Sequence, residues 1–300
     1  MMRRRVWHGG LAALCALGLV ASAALASSSQ KYSVTGLLLA SDLSKHTITV
    51  SCKEIVGYMD AMVMSFPVRD SKLPDGVQPG VTVEFTLVVE KGSSFAEGVR
   101  VVPFESLELD PTEARRLKLL ENETSAKPPS AEVLSVGAAV PDFQLVDQNH
   151  QVVSLSQFTG KVVALTFIYT RCPLPDYCLR LSNNFGVLQR RFGNHMGRDF
   201  ILLTVVIDPV HDQPDALKNY ARTWKADPHN WRFLTGTQSD IQLLCRRFDM
   251  AFYPDEALFV HSFHTVVISR SGHLIANLEG NTFTAQQLGD LIQTVADRQE

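Results

Sequence analysis

Cys172 and Cys178, in the segment YTRCPLPDYCLRLSNNF, are the residues whose type and spacing are best suited to chemistry. Two thiols this close can form a disulfide, exchange it with another thiol, or hold a soft metal ion as thiolates. A plain disulfide is the least productive reading, because closing so short a loop constrains the unfolded chain little. The pair follows VVALTFIYT, an apolar run suited to a buried central strand, and precedes a helical pattern over about Asp176 to Phe192. Open α/β sheets place their sites at the carboxyl ends of such strands. The start of a helix favours a thiolate, and Arg171 adds positive charge beside Cys172.

A second soft set lies in SCKEIVGYMDAMVMSFPV: Cys52, Met59, Met62 and Met64. Thiolate and thioether donors select Cu(I), and Met62 and Met64 alternate onto one face of a strand. The competing reading is core packing, since Met fills gaps and Cys52 shares a strand face with Ile48 and Val50. Cys245 lies on an apolar helical face with Ile241 and Phe248 and reads as packed core. Asp208 ends the apolar run DFILLTVVID and could stand near the cysteines, whereas Asp212 reads as the cap of a helix starting at Pro214. Neither reads as a ligand.

The elements that must position these residues fall into two groups. From Tyr32 to Val102, five short strand patterns separated by turn signals such as Asp75-Gly76 and Pro79-Gly80 predict a small all-β, OB-like barrel over 32–103. Residues 104–135 follow as a charged helix, DPTEARRLKLLENE, and an extended connector. From residue 136 to 300, strands alternate with helices near Pro214 to Trp224, Ser239 to Phe248 and after Thr284, and HTVVISRSGHLIANL reads as a hairpin. This predicts an α/β domain with a central mixed sheet flanked by helices.

The chain has 300 residues, 45% hydrophobic and 20% charged, with a formal charge of −3, so it is sized for two domains and has no basic surface for nucleic acid. The basic start MMRRR, the apolar run LAALCALGLVASAALA and the A-x-A pattern at Ala24 to Ala26 predict a secretory signal at 1–26, cleaved after Ala26. An uncleaved signal would be the one membrane contact. Of five cysteines, Cys15 lies in this leader, which leaves Cys52, Cys172, Cys178 and Cys245 in an extracytoplasmic, periplasmic setting.

Gly137-x-x-Val140-Pro141-Asp142-Phe143, Phe158-x-Gly160-Lys161, TFIYTRCPLPDYC, VVIDPVHDQPDALKNYARTW and HSFHTVVISRSGHL together resemble the Sco/SenC family of thioredoxin-like copper proteins. The resemblance implies a thioredoxin-like fold and copper held by Cys172, Cys178 and His261. It also implies delivery of copper to the binuclear centre of cytochrome c oxidase, or reduction of that centre's cysteines. His261 takes the ligand role because it stands eight residues before Ser269, where the family usually has Asp. His264 is its neighbour in an extended segment, with the opposite facing, and reads as a strand-surface histidine. The spacing C-x5-C departs from the C-x3-C of many members.

Residues 33 to 103 similarly resemble the CusF-like copper-binding domain, with Cys52 at that family's His position and the Met-x-Met pair ahead of Phe66. That family's aromatic cap has no evident counterpart. Together the resemblances imply an exported, monomeric copper chaperone for Cu(I), and for Cu(II) through the imidazole, with an oxidase subunit as acceptor. The alternatives are a thiol–disulfide oxidoreductase or peroxidase, and a periplasmic copper-tolerance buffer. A thioredoxin-type oxidoreductase normally carries C-x-x-C and a Pro before the strand facing it. FHTVVIS has no such Pro, which favours metal binding over redox catalysis.

Overall fold

The computed structural model describes residues 29–70, 72–104, 133–250, 252–255 and 258–298. The expected signal at 1–26 and most of the helix-and-connector segment, 105–132, lie outside the described residues.

The front unit is an antiparallel sheet of β1 (Gln30–Asp42), β2 (Thr47–Cys52), β3 (Val63–Pro67), β4 (Thr82–Glu90) and β5 (Ser93–Val102), in the order β3-β2-β1-β4-β5. Period-two alternation decides its faces. Ile48, Val50 and Cys52 of β2 point inward with Val34, Phe66, Val83, Phe85 and Leu87. The sheet curls so that its edges meet just past β3, where Val68 makes a parallel bridge to Ala96 and the Arg69 amide donates to the Ala96 carbonyl (2.9 Å). Gly36 permits the close crossing of β1 and β2, since a Cβ there would stand 2.5 Å from a Val50 methyl.

The second unit has seven strands in one sheet: β6 (Gln144–Asp147), β7 (Val152–Ser154), β8 (Val162–Ile168), β9 (Phe200–Val206), β10 (Trp231–Thr235), β13 (His264–Ile268) and β14 (Leu274–Glu279). Their order is β14-β13-β8-β9-β10-β6-β7. β8, β9 and β10 run parallel and the other pairings are antiparallel, so the sheet is mixed as expected. β8 and β9 are buried at every position, which explains why VVALTFI and FILLTVV carry no polar alternation. Among the described residues four α-helices cover the sheet: α1 (Arg180–Phe192), α2 (Pro214–Thr223), α3 (Gln238–Arg247) and α4 (Ala285–Ala296). Thr284 and Gln287 form a reciprocal capping box at the start of α4. β11 (Phe252–Asp255) and β12 (Leu258–His261) form a separate ribbon, in which Phe252 faces His261.

Because β13 is antiparallel to β8 and β14 is antiparallel to β13, β14 ends where β8 ends. The cysteine segment, His261 and the start of α4 therefore gather at one end of the sheet. Among the described residues no helix is long and apolar enough to cross a membrane.

Candidate metal centre

β8 delivers the chain through Tyr169 and Thr170 to Cys172. The expected single helix from Asp176 is instead a π turn over Pro175–Leu179 leading into α1, with Tyr177 out of helical geometry (φ −112°, ψ −109°). A π turn accommodates extra residues within a helix, so it takes up the five-residue spacing and brings Cys178 back into the interior. Cys178 is fully buried and Cys172 nearly so, and both are free thiols.

The ribbon brings His261 to the pair. Its Nε2 lies 3.9 Å from Cys178 Sγ, and its Nδ1 lies 2.7 Å from the Ser262 carbonyl oxygen. That short contact assigns the proton to Nδ1 and leaves the Nε2 lone pair facing the thiol. Burial pushes the imidazole down to about 4, so it is neutral at ordinary pH. The ring is held by Phe263 (centroids 4.6 Å apart) and Tyr169 (5.8 Å).

The two thiols are not equivalent. A hydrogen bond from Cys178 holds the Cys172 thiol down to about 6, against the opposing effect of burial. Cys178, bonded to Cys172 and buried, is pushed well up. The helix start, expected to favour a thiolate, does not lower Cys178, which its Cys172 neighbour and burial push up. Arg171 is not what lowers Cys172, since its guanidinium is engaged by Asp208 at 2.6 Å, which also meets His211 Nδ1 at 2.9 Å.

Asp212 does not cap α2 either, whose N-cap is Gln213 without a side-chain bond. It is buried, and it accepts from the Thr170 amide (3.0 Å) and the Thr170 hydroxyl. Asp208 and Asp212 thus grip consecutive residues of the turn that carries Cys172. His264 is not at the surface: it is 6% exposed, with Nδ1 2.8 Å from Asn277 Oδ1. Cys245 is packed core, as expected, and its thiol is pushed up by burial.

In the front unit the Cys52 amide donates to the Met62 carbonyl (2.9 Å), and Met64 faces Val50 across the strands. Cys52 and Met64 therefore lie toward the inner face of β2 and β3, and Met62 stands beside Cys52 just ahead of β3. Cys52 is buried and its thiol is pushed up to about 12 by desolvation, while Met62 is 47% exposed. Met59 joins through a tight turn bridged to Ile55 and packs on the front core. Beside it, the Tyr58 and Tyr32 rings stack at 4.1 Å, an aromatic pair that the sequence reading missed because the two residues are on different elements.

Among the described residues, no three His, Cys, Asp or Glu side chains stand in a ready metal-holding cluster. The donors themselves fit a soft ion. Two ligands of a trigonal metal, with bonds of about 2.3 Å to sulfur and about 2.0 Å to nitrogen, stand about 3.7 Å apart, close to the separation of Cys178 and His261. Sulfur donors and a neutral imidazole suit Cu(I).

Comparison with known proteins places these features in context. Residues 133–297 match the family model described as SCO1/SenC, and residues 31–96 match that of the copper binding periplasmic protein CusF. A SCO2-like protein of Rickettsia typhi is 26% identical over 172 residues, covering 52% of this chain and 79% of the relative. Among solved structures, a SCO1/SenC family lipoprotein from Bacillus anthracis aligns at 21% identity and TM-score 0.49, covering 55% of this chain and all of the other. Bradyrhizobium japonicum ScoI with copper bound aligns at 22% identity and TM-score 0.45, covering 53% and 99%.

Proposed function

The chain belongs to the SCO1/SenC family, whose model spans more than half of it, and from that premise we propose that it is an exported copper carrier holding Cu(I) through Cys172, Cys178 and His261. The observation that carries this reading is the pairing of a buried, neutral His261, its Nε2 turned to Cys178 at 3.9 Å, with a second thiol already held down to about 6. At neutral pH His261 Nε2 and Cys172 then stand ready as donors, and metal binding displaces chiefly the Cys178 proton. Cu(I) is the cargo, and the cysteine pair and imidazole are its cradle. An imidazole also accepts Cu(II).

The front barrel, assigned to 32–103, serves as a second, Cu(I)-selective site through Cys52, Met59, Met62 and Met64. The acceptor is a metal-binding protein such as a respiratory oxidase subunit, reached in the periplasm after removal of residues 1–26. Reduction of the acceptor's cysteines by the Cys172–Cys178 pair is the second reading, favoured by the unequal acidity of the two thiols, which is the arrangement of an attacking and a resolving cysteine.

Anaerobic Cu(I) titration of the reduced chain tests the main reading. Cys172→Ser and His261→Ala should each abolish tight binding at the α/β site and leave the front site loaded. Binding at the α/β site unaffected by both substitutions would refute the assignment. Reduction of an oxidised acceptor by the metal-free chain, at a rate above that of a small thiol, would establish the second reading.

A further inference from the structure

The two units are joined by a buried polar node one residue from Cys52. The Ser51 hydroxyl donates to Asp290 Oδ2 at 2.8 Å, and Arg191 of α1 donates to the other carboxylate oxygen at 2.5 Å. Gln287 of α4 donates to the Ser51 carbonyl at 3.0 Å. Contact around the node is close. Leu37 and Leu39 of β1 belong to the apolar core of the second unit, and Arg298 reaches the Leu39 carbonyl at 3.3 Å. Gly80 sits so tightly against β14 that a Cβ would stand 2.9 Å from the Ala276 Cβ. A barrel tethered only by its connector would need none of these contacts, and a buried carboxylate with two donors is costly to separate from them.

The node runs along α4, from Gln287 in its first turn to Asp290, and meets Arg191 in the last turn of α1. The loop before α4 closes on the cysteine segment, where Asn281 donates to the Asp176 carbonyl at 2.5 Å. In the same loop the Gly280 amide donates to the carbonyl of Phe263, whose ring packs on His261. Phe104, just past β5, packs its ring on Phe263 as well.

We propose that the Ser51–Asp290–Arg191 node locks the barrel onto the α/β domain, so that Cu(I) taken up by the Cys52 and methionine set passes to Cys172, Cys178 and His261 within the same chain. This route rests on the copper reading of both sites. The step is ligand exchange without electron transfer. Copper remains Cu(I), and its bonds to Cys52 and the thioethers break as bonds to Cys172, Cys178 and His261 form. Cys52 regains a proton, the cysteine pair releases those it still carries, and the difference goes to solvent. Covalent linkage alone sets an effective concentration on the order of millimolar, above that of other chains in dilute solution, and docking holds the two units in one fixed arrangement within it.

The test uses the full reduced chain with one equivalent of Cu(I) added anaerobically. Methionine methyl signals report copper leaving Met62 and Met64, and the His261 ring signals report its arrival. The half-time in the wild type should stay constant over an about tenfold range of protein concentration, as an intramolecular step requires. Asp290→Asn combined with Ser51→Ala should slow arrival about tenfold or more, while the step stays within one chain and each site can still bind copper. Ser51→Ala alone, which leaves Asp290 paired with Arg191, should slow it less, and serves if the double variant does not fold. A wild-type rate proportional to protein concentration would overturn the route while leaving both sites standing. A Cys52→Ser, Met62→Ala chain that takes up as much Cu(I) as the wild type would remove the front site and the route together.

Discussion

His261 Nε2 and Cys178 Sγ lie 3.9 Å apart inside the protein, the imidazole pinned by its own neighbour's carbonyl and the thiol brought inward by a π turn. Each residue comes from a different element, and their meeting sets a sulfur donor beside a neutral imidazole, a pairing that suits Cu(I).

Thiol acidity should be divided between the two cysteines. Thiolate absorbance against pH should show one group titrating near 6, assigned to Cys172, with Cys178 ionising far above it. Iodoacetamide at pH 7 should modify Cys172 first. Cys178→Ala, which removes the hydrogen bond, should return Cys172 toward the usual thiol range; an unchanged midpoint would mean that another group sets it.

Stability should fall as pH drops from about 6.5 to about 4. His261 is depressed in the folded state, so the unfolded chain binds more protons across this window. Its contribution is complete above the unfolded value and is lost as pH approaches the folded one. The difference amounts to about 3 kcal/mol, at about 1.4 kcal/mol per pKa unit. Urea midpoints across this range should shift less in His261→Gln than in the wild type, with buried His264, also depressed, supplying part of the remaining slope.

Asp212→Ala should loosen the turn before Cys172. Losing the acceptor of the Thr170 amide and hydroxyl leaves a donor unpaired, at a cost of about 1 to 3 kcal/mol. Copper competition against a chromophoric chelator should show weaker binding, and Asp212→Asn, which keeps one acceptor, should fall between. Equal copper affinity in all three proteins would separate this carboxylate from the site.

Cys245→Ser should destabilise the protein by about 1 to 3 kcal/mol, by placing a hydroxyl in a fully apolar setting. Its copper stoichiometry should equal that of the wild type. Loss of a bound copper would show that Cys245 is more than core.

Much of this arrangement was legible in residue order. VVALTFI and FILLTVV announce central strands because both faces are covered, and the alternation in HTITVSC sets Cys52 inward beside Ile48 and Val50. What stayed hidden depends on partners far along the chain. Asp212 sits where a helix cap is expected, yet its partner Thr170 is 42 residues earlier. Ser51 gives no sign of Asp290, 239 residues away. Arg171 looks like a thiolate activator until Asp208 is seen to engage it. His264 looks exposed because strand alternation fixes facing within one sheet, whereas His261 and His264 belong to two.

X-ray absorption at the copper edge, on the Cys52→Ser, Met62→Ala chain loaded with one equivalent of Cu(I), addresses the central claim most directly. The account predicts two sulfur scatterers and one imidazole nitrogen, with the nitrogen lost in His261→Ala. A sulfur-only shell that His261→Ala leaves unchanged, or a shell without sulfur, would contradict it.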